Sequence, residues 1–175
     1  PVGQGCFHAA FVGLMQRRRR FPPRGIWYVY DCGSMSRYRA AREREIGRFH
    51  ADSSKFPLDF LFLSHLHEDH ISGVEMLCGA GGSQVDTIVL PYLNTTDRLI
   101  CFARAVAEDP DYSSEFHEAL TIDPVAALRR FNPRQIIFVR RAGEGGAPPP
   151  GEPAEPEGGP DNIPGDGLDR ASKRE

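Results

Sequence analysis

Short apolar stretches alternate with longer polar ones along the first 141 residues of this 175-residue chain. The apolar stretches are rich in β-branched and aromatic side chains, which predicts strands over residues 6–14, 26–30, 58–63, 86–90 and 135–140. The polar and amphipathic segments predict helices over residues 36–50, 71–77, 96–108, 113–120 and 123–131. The last of these has Asp123 as its cap and Pro124 in its first turn. Strands that alternate with helices predict an α/β sheet rather than a sandwich of strands alone.

The pattern ends abruptly at residue 142. Eight glycines and seven prolines lie among residues 142–175, together with eight acidic and three basic side chains. Such a segment offers too little apolar surface to offset the entropy that ordering would cost. We therefore expect a globular domain over residues 1–141 and a disordered acidic tail or linker over residues 142–175.

Charge and cysteine content narrow the class of protein. The net charge of the whole chain is −3, of which the segment 142–175 contributes −5, so the remainder is close to balance. This balance lacks the basic bias of a dedicated nucleic-acid binder. The chain contains no run of 18 apolar residues, so its sequence predicts no membrane-spanning helix. Four widely spaced cysteines without a C-x-x-C pair indicate reduced thiols and a cytoplasmic protein.

Metal-binding residue types are concentrated in the histidine loop, residues 64–70, directly after the predicted strand 58–63. In extended backbone His65 and His67 point the same way, so both imidazoles can reach one metal ion. Asp69 and His70 follow where the chain turns and could reach a second ion nearby. Imidazole and carboxylate ligands suit zinc, and manganese or iron would also fit. The alternative is a polar loop whose histidines bond only to the backbone.

Residues 65–70, His-Leu-His-Glu-Asp-His, match the H-x-H-x-D-H signature of the metallo-β-lactamase fold superfamily, which the chain therefore resembles. Ser64 before the signature and Gly73 after it fit the family's extended form of this motif. Asp31-Cys32-Gly33, at the end of a predicted strand, is similar to the family's first motif, Asp-x-Gly. The resemblance covers about residues 1–140.

The resemblance implies a role for each matching residue. His65 and His67 would bind the first of two zinc ions, and Asp69 and His70 the second. Asp69 would also position the attacking hydroxide, which makes it the catalytic residue. Asp31 would not bind metal itself but would orient the ligands through hydrogen bonds to the histidine loop. For Asp31 the alternative is a plain structural role, in which it caps the turn after its strand.

The resemblance also implies further metal ligands that the histidine loop does not supply. The superfamily takes three further ligands from later in the chain, yet the only histidine after His70 is His117. His117 lies in a predicted helix, where we expect a solvated position rather than a ligand. The family fold is a four-layer αββα sandwich, and this chain is long enough for only its first half. We therefore expect a partial domain with weak metal binding and an uncovered apolar sheet face.

Two functions follow as hypotheses. The first is a metal-dependent hydrolase in which a metal-bound hydroxide attacks an ester-like bond, with a phosphodiester as first choice and an acyl ester or thioester as second. The second is an inactive homologue that serves as an interaction module. A complementing chain or a second copy could supply the missing ligands. The run of arginines at residues 17–20 could contact the phosphates of a nucleic acid, although a solvated hairpin tip is the preferred interpretation.

Overall fold

The computed structural model describes residues 5–13, 25–53, 57–112 and 114–140. One five-stranded sheet carries these residues, in the order β1-β2-β3-β4-β5. β1 and β2 are antiparallel, and β2 to β5 run parallel to one another. The strands are β1 (Phe7–Gly13), β2 (Gly25–Cys32), β3 (Leu58–Phe62), β4 (Val85–Pro91) and β5 (Gln135–Val139). The predicted connection between β1 and β2 lies outside the described residues.

Helices connect the parallel strands, as βαβ units require. They are α1 (Arg39–Ser53), α2 (Glu68–Ile71), α3 (Val74–Cys78), α4 (Thr95–Glu108), α5 (Glu115–Ile122) and α6 (Pro124–Arg129). A 3-10 turn over Ser36–Tyr38 precedes α1. The helix predicted from residue 71 instead begins at Glu68 and is interrupted at Ser72 and Gly73. The prediction for α6 is confirmed, because Asp123 accepts a hydrogen bond from the Ala126 amide and Pro124 opens the helix.

The helix-covered face of the sheet is the core. Val29, Leu61 and Ile88 are aligned across β2, β3 and β4, and each is fully buried. Ile46 of α1 and Leu77 of α3 belong to the same buried cluster. This burial is the main favourable term that holds the helices on the sheet.

The opposite face of the sheet is also apolar but less covered. We call Tyr28, Tyr30, Phe60 and Phe62 the aromatic face, since register places Tyr28 beside Phe60 and Tyr30 beside Phe62. The ring centroids of Phe60 and Phe62 lie 5.6 Å apart, and Tyr30 is 45% exposed. None of the four belongs to the buried cluster of described residues. The described residues therefore form one α/β layer pair with an apolar second face.

The α/β prediction, with the first half of a sandwich, is confirmed for the described residues. The predicted boundary between residues 141 and 142 remains a prediction, because residues 141–175 are not among those described. No described helix combines the length and apolar character needed to cross a membrane. The four cysteines are all free thiols, and Cys32 is fully buried.

Candidate metal centre

The histidine loop lies at the carboxyl end of β3, beside the end of β2. Leu63 and Leu66 are each 2% exposed and hold the two ends of the loop's first turn in the core. The chain then turns into α2, which begins at Glu68 with His67 as its cap residue. Carboxyl ends of parallel strands are the usual place for ligands in α/β sheets.

Asp31 connects the end of β2 to the histidine loop. Its carboxylate accepts hydrogen bonds from the Ser64 amide and the Ser64 hydroxyl, each at 2.7 Å. His70 Nδ1 lies 2.7 Å from the second carboxylate oxygen. Asp31 has a φ of 56°, a backbone conformation that costs free energy for a residue with a side chain. Burial acts to raise the pKa of Asp31, but these hydrogen bonds outweigh it and lower the pKa below its ordinary value.

This hydrogen-bond pattern determines which ring nitrogens are free. Because an ionised Asp31 can only accept, His70 Nδ1 must donate to it, and its Nε2 keeps a lone pair. The Ser64 hydroxyl donates to Asp31, so it can accept from His65 Nδ1, which is 2.9 Å away. His65 therefore also keeps its lone pair on Nε2. Both imidazoles are thus held in the tautomer that presents Nε2 as a ligand.

Three of the four predicted ligands converge. His65, Asp69 and His70 each offer one ligand atom, and these atoms all lie within 4.8 Å of one another. His70 Nε2 is 3.5 Å from Asp69 Oδ2, and the rings of His65 and His70 have centroids 3.8 Å apart. Burial is the largest cause that lowers the pKa of His65, followed by the charge of His70. The pKa of His70 is raised, because Asp31 and Asp69 outweigh its burial.

His67 lies beside this group but not within it. Its Nδ1 is 2.9 Å from Asp69 Oδ1, and its Nε2 is 3.5 Å from Glu108 Oε2 at the end of α4. The ring centroids of His65 and His67 are 6.3 Å apart. Asp69 therefore directs one carboxylate oxygen toward His67 and the other toward His70. That His65 and His67 share one ion remains a prediction.

Glycines let the backbone approach the histidine loop closely. A Cβ atom on Gly33 would lie 2.5 Å from the carbonyl carbon of Asp69 and from the amide nitrogen of His70. The Cys6 amide donates to the Asp69 carbonyl at 3.1 Å, and the Gly73 amide donates to the Cys32 carbonyl at 2.7 Å. The ends of β1 and β2 thus hold both sides of α2. The Asp-x-Gly motif has a physical basis here, since Asp31 supplies hydrogen bonds and Gly33 supplies space.

Glu68 is a buried residue that sequence analysis did not single out. It occupies the second variable position of the signature and has no exposed surface. Burial is the first cause that raises the pKa of Glu68, to about 8, and the nearby Asp109 carboxyl is the second. Asp109 in turn accepts a hydrogen bond from the Ser36 amide at 2.7 Å. Glu68 thereby connects the histidine loop, through Asp109, to the turn before α1, and no local sequence signal indicates this.

The prediction for His117 was wrong about its surroundings. His117 is in a helix as expected, but it is only 1% exposed rather than solvated. Its Nδ1 lies 3.0 Å from the Tyr112 hydroxyl, and the Phe102 ring meets it edge-on with centroids 5.0 Å apart. Its Nε2 has no hydrogen-bond partner among the described residues. Burial, with His67 as the next cause, lowers the pKa of His117 to about 4.

The donor set suits a divalent cation. One nitrogen from each of two imidazoles and one carboxylate oxygen lie within 4.8 Å of one another, and this mixture of nitrogen and oxygen donors is typical of zinc, manganese and iron sites. The hydrogen bonds of Asp31 and Ser64 provide the support that such ligands need. The residues present therefore fit a metal, without specifying which one.

Comparison with known proteins gives one family. A family model described as the metallo-beta-lactamase superfamily matches residues 20–169. The matched range includes Asp31 and the whole histidine loop, and it extends past the last described residue. No curated protein and no solved structure matches the chain.

Proposed function

We propose a hydrolytic function from one premise: the chain belongs to the metallo-beta-lactamase superfamily. Membership indicates a metal-dependent hydrolase. The observation that carries the proposal to this chain is the convergence of His65, Asp69 and His70 at the end of β3. We infer hydrolysis of an ester-like bond at this position, with zinc as the preferred metal.

Each residue has a distinct part in the proposed reaction. His65 and His70 would hold the metal through Nε2, because their Nδ1 atoms are engaged with Ser64 and Asp31. When bound, a divalent cation lowers the pKa of a water molecule toward neutrality and so provides a nucleophile. The Asp69 carboxylate would orient that water and accept its proton, since it can only accept hydrogen bonds while ionised. Asp31 would keep His70 in the required tautomer throughout.

The proposed substrate class rests on membership of the family alone. A phosphodiester is our first proposal, and an acyl ester or thioester is the second. The four free cysteines support a reducing compartment, so a cytoplasmic location is part of the proposal. Fold does not determine substrate, which makes a generic test preferable to a specific one.

The test combines metal content with turnover. The purified chain should be loaded with zinc, manganese or iron, desalted, and measured for bound metal and for hydrolysis of bis(p-nitrophenyl) phosphate with and without chelator. We expect about one metal ion bound per chain and chelator-sensitive hydrolysis, and we expect both to be lost in Asp69→Ala and His70→Ala. His8→Ala is the control, because His8 is an exposed histidine on β1. Less than one bound metal per chain, with no chelator-sensitive turnover, would sink the proposal.

A second candidate is an interaction module without catalysis. The aromatic face favours it, since an apolar sheet face of this kind is a surface on which another chain could pack. A complementing chain or a second copy that packs there could also bring the missing ligands. Metal-independent self-association together with a negative hydrolysis assay would favour this candidate over the hydrolase.

A further inference from the structure

A polar cavity lies on the helical side of the molecule, separate from the candidate metal centre. Its volume is about 490 Å³, which is in the range of small-molecule sites. One wall is the start of α1 with the turn before it, including Ser36, Arg39 and Arg42, and Ser72 adjoins this wall. None of the four predicted metal ligands lines it. We call it the arginine cavity.

Arg42 is the unusual member of this wall. It is 8% exposed, so it is more than nine-tenths buried, yet no carboxylate of the described residues lies within salt-bridge distance of it. Its hydrogen bonds to described residues all leave from Nη1, to the Ser34 carbonyl at 3.2 Å, the Ser34 hydroxyl at 3.4 Å and the Ser72 hydroxyl at 2.6 Å. Its Nε is buried and has no hydrogen-bond partner within the part of the chain that the structure describes.

Such an arrangement is costly in the absence of a counter-charge. A buried cation without an anion pays a desolvation penalty that neutral serine oxygens offset only in part. Consistent with this, burial lowers the pKa of Arg42 below its ordinary value. The Nε–Nη2 edge of a guanidinium is one of the edges that bind an oxyanion through two parallel hydrogen bonds. In Arg42 the Nε of this edge is buried and the serines occupy Nη1, so Nη2, which makes no hydrogen bond to a described residue, is the donor left for a partner in the cavity.

The other charges around the arginine cavity do not neutralise Arg42. Arg39 pairs with Glu43 at 2.8 Å, and Glu75 pairs with Arg130. The remaining carboxylates of the lining, on Asp111 and Glu115, are exposed, so solvent and salt screen them. The start of α1 adds the positive end of a 15-residue helix dipole at the same wall. None of the described carboxylates of the lining therefore serves as a direct counter-charge for Arg42.

We propose that the arginine cavity binds a phosphate group, either free or carried by a small phosphate ester, with Arg42 as its counter-charge. The cavity is larger than a single phosphate ion, which leaves room for an attached group. This site goes beyond the proposed hydrolytic function and does not depend on metal.

The test uses the full chain after treatment with chelator, so that metal-dependent binding does not contribute. Inorganic phosphate and adenosine monophosphate are titrated separately, with sodium chloride matched for ionic strength, while ¹H–¹⁵N NMR follows the backbone amides and the Arg42 Nε–H resonance. We expect saturable shifts at residues 36–42 and 72 and at the Arg42 side chain. Tighter binding of the nucleotide would identify an ester, and equal binding would identify the free anion.

Matched variants decide whether Arg42 is responsible. Arg42→Lys keeps the charge but loses the planar guanidinium that holds Nη2 in place while Nη1 bonds the serines, so phosphate affinity should fall by about tenfold or more. Arg44→Met removes a charge from the same helix at an exposed position paired with Glu45, and it should bind as the wild type does. If Arg42→Lys does not fold, Arg39→Met should still weaken binding, since the exposed Arg39 side chain lines the cavity without serving the core.

Three results would overturn the proposal. The first is the absence of saturable shifts with either probe. The second is an equal loss of affinity in Arg44→Met and in Arg42→Lys, which would indicate general electrostatic attraction. The third is a set of shifts confined to the histidine loop and abolished by His65→Ala, which would place the anion at the candidate metal centre instead.

Discussion

Asp31 is the residue on which the candidate metal centre depends most directly. Its carboxylate holds Ser64 at two atoms and His70 at one, all at 2.7 Å. Asp31→Asn keeps the shape but replaces an ionised acceptor with an amide, so His70 loses the partner that fixes its tautomer. We expect metal affinity to fall by about 10- to 100-fold. Competition with a chromogenic zinc chelator measures the change.

A second carboxylate provides the control for Asp31. Asp59 on β3 also accepts a backbone hydrogen bond across the sheet, from the Trp27 amide at 2.7 Å, but it lies outside the metal-ligand cluster. Asp59→Asn should therefore lower stability without weakening metal binding. If both variants lose metal affinity equally, the effect comes from the sheet as a whole and the supporting role of Asp31 is wrong.

His117 makes the stability of the fold depend on pH. Its folded pKa of about 4 lies below the ordinary value of 6.5, so the unfolded chain binds more protons than the folded chain between these values. The contribution of neutral His117 to the free energy of unfolding is therefore fully present above pH 6.5, and it is lost as pH decreases toward 4. The loss should be on the order of 3 kcal/mol. Urea unfolding across this pH range should show a shallower slope for His117→Gln than for the wild type.

The control for His117 is a histidine without burial. His8→Gln changes an exposed residue of β1 and should retain the pH dependence of the wild type. An unchanged slope in His117→Gln would mean that other groups, and not the buried imidazole, produce the acid sensitivity.

At the residue scale, sequence spacing was sufficient to single out the candidate ligands that converge but not their environment. His65, Asp69 and His70 are close in sequence, so a single turn brings their side chains together. The burial of His117 depends on Tyr112, in the connection between α4 and α5, and on Phe102, which reaches it through packing of α4 against α5. One signal was present: Phe116 and Leu120 mark the apolar side of α5, and His117 adjoins Phe116 on that side.

At the scale of elements, the end of β2 and the histidine loop pack against each other without room for a side chain. Gly33→Ala would place a Cβ atom 2.5 Å from backbone atoms of Asp69 and His70. Backbone cannot move aside as a flexible side chain can, so the loop must shift. We expect a loss of about 1–3 kcal/mol in stability and a fall in metal affinity. Thermal unfolding and chelator competition measure the two effects.

Gly47 is the matched control for Gly33. It lies within α1, and an added Cβ would meet nothing within 4 Å. Gly47→Ala should stabilise the protein by about 0.5–1 kcal/mol, because alanine loses less backbone entropy in a helix. A destabilised Gly47→Ala, or a Gly33→Ala variant that behaves like the wild type, would contradict the steric explanation.

Most elements could be predicted because their local signals agree with the final fold. The strands β3 and β4 are apolar along their length, and Asp123 with Pro124 marks the start of α6. The break between α2 and α3 could not be predicted. It depends on Gly73, whose amide bonds the Cys32 carbonyl and whose missing side chain leaves room for Ile46 and Cys32. Contacts between distant segments, not local propensity, set that boundary.

At the scale of the whole molecule, the sheet has two apolar faces, of which one is covered by helices and the other is more exposed. Sequence length indicated that half of a sandwich could form, and the strands indeed bury Val29, Leu61 and Ile88 on one side only. The identity of the exposed side could not be predicted, because β2 and β3 are apolar at nearly every position. A buried parallel strand gives no alternation from which to tell its faces apart.

The aromatic face leads to a prediction about association. Beside it on the same face, Ile26 is 46% exposed and Val139 is 53% exposed, which extends the apolar surface along the sheet. Apolar patches of this kind associate in water because pairing removes them from solvent. We expect the purified chain to self-associate with increasing concentration, and Ile26→Lys combined with Tyr30→Lys to shift it toward the monomer. Analytical ultracentrifugation measures the change.

Leu99→Lys is the control, since Leu99 is 53% exposed on α4, away from this face. A wild-type chain that stays monomeric at all concentrations, or a control that dissociates it equally, would rule out association through the aromatic face.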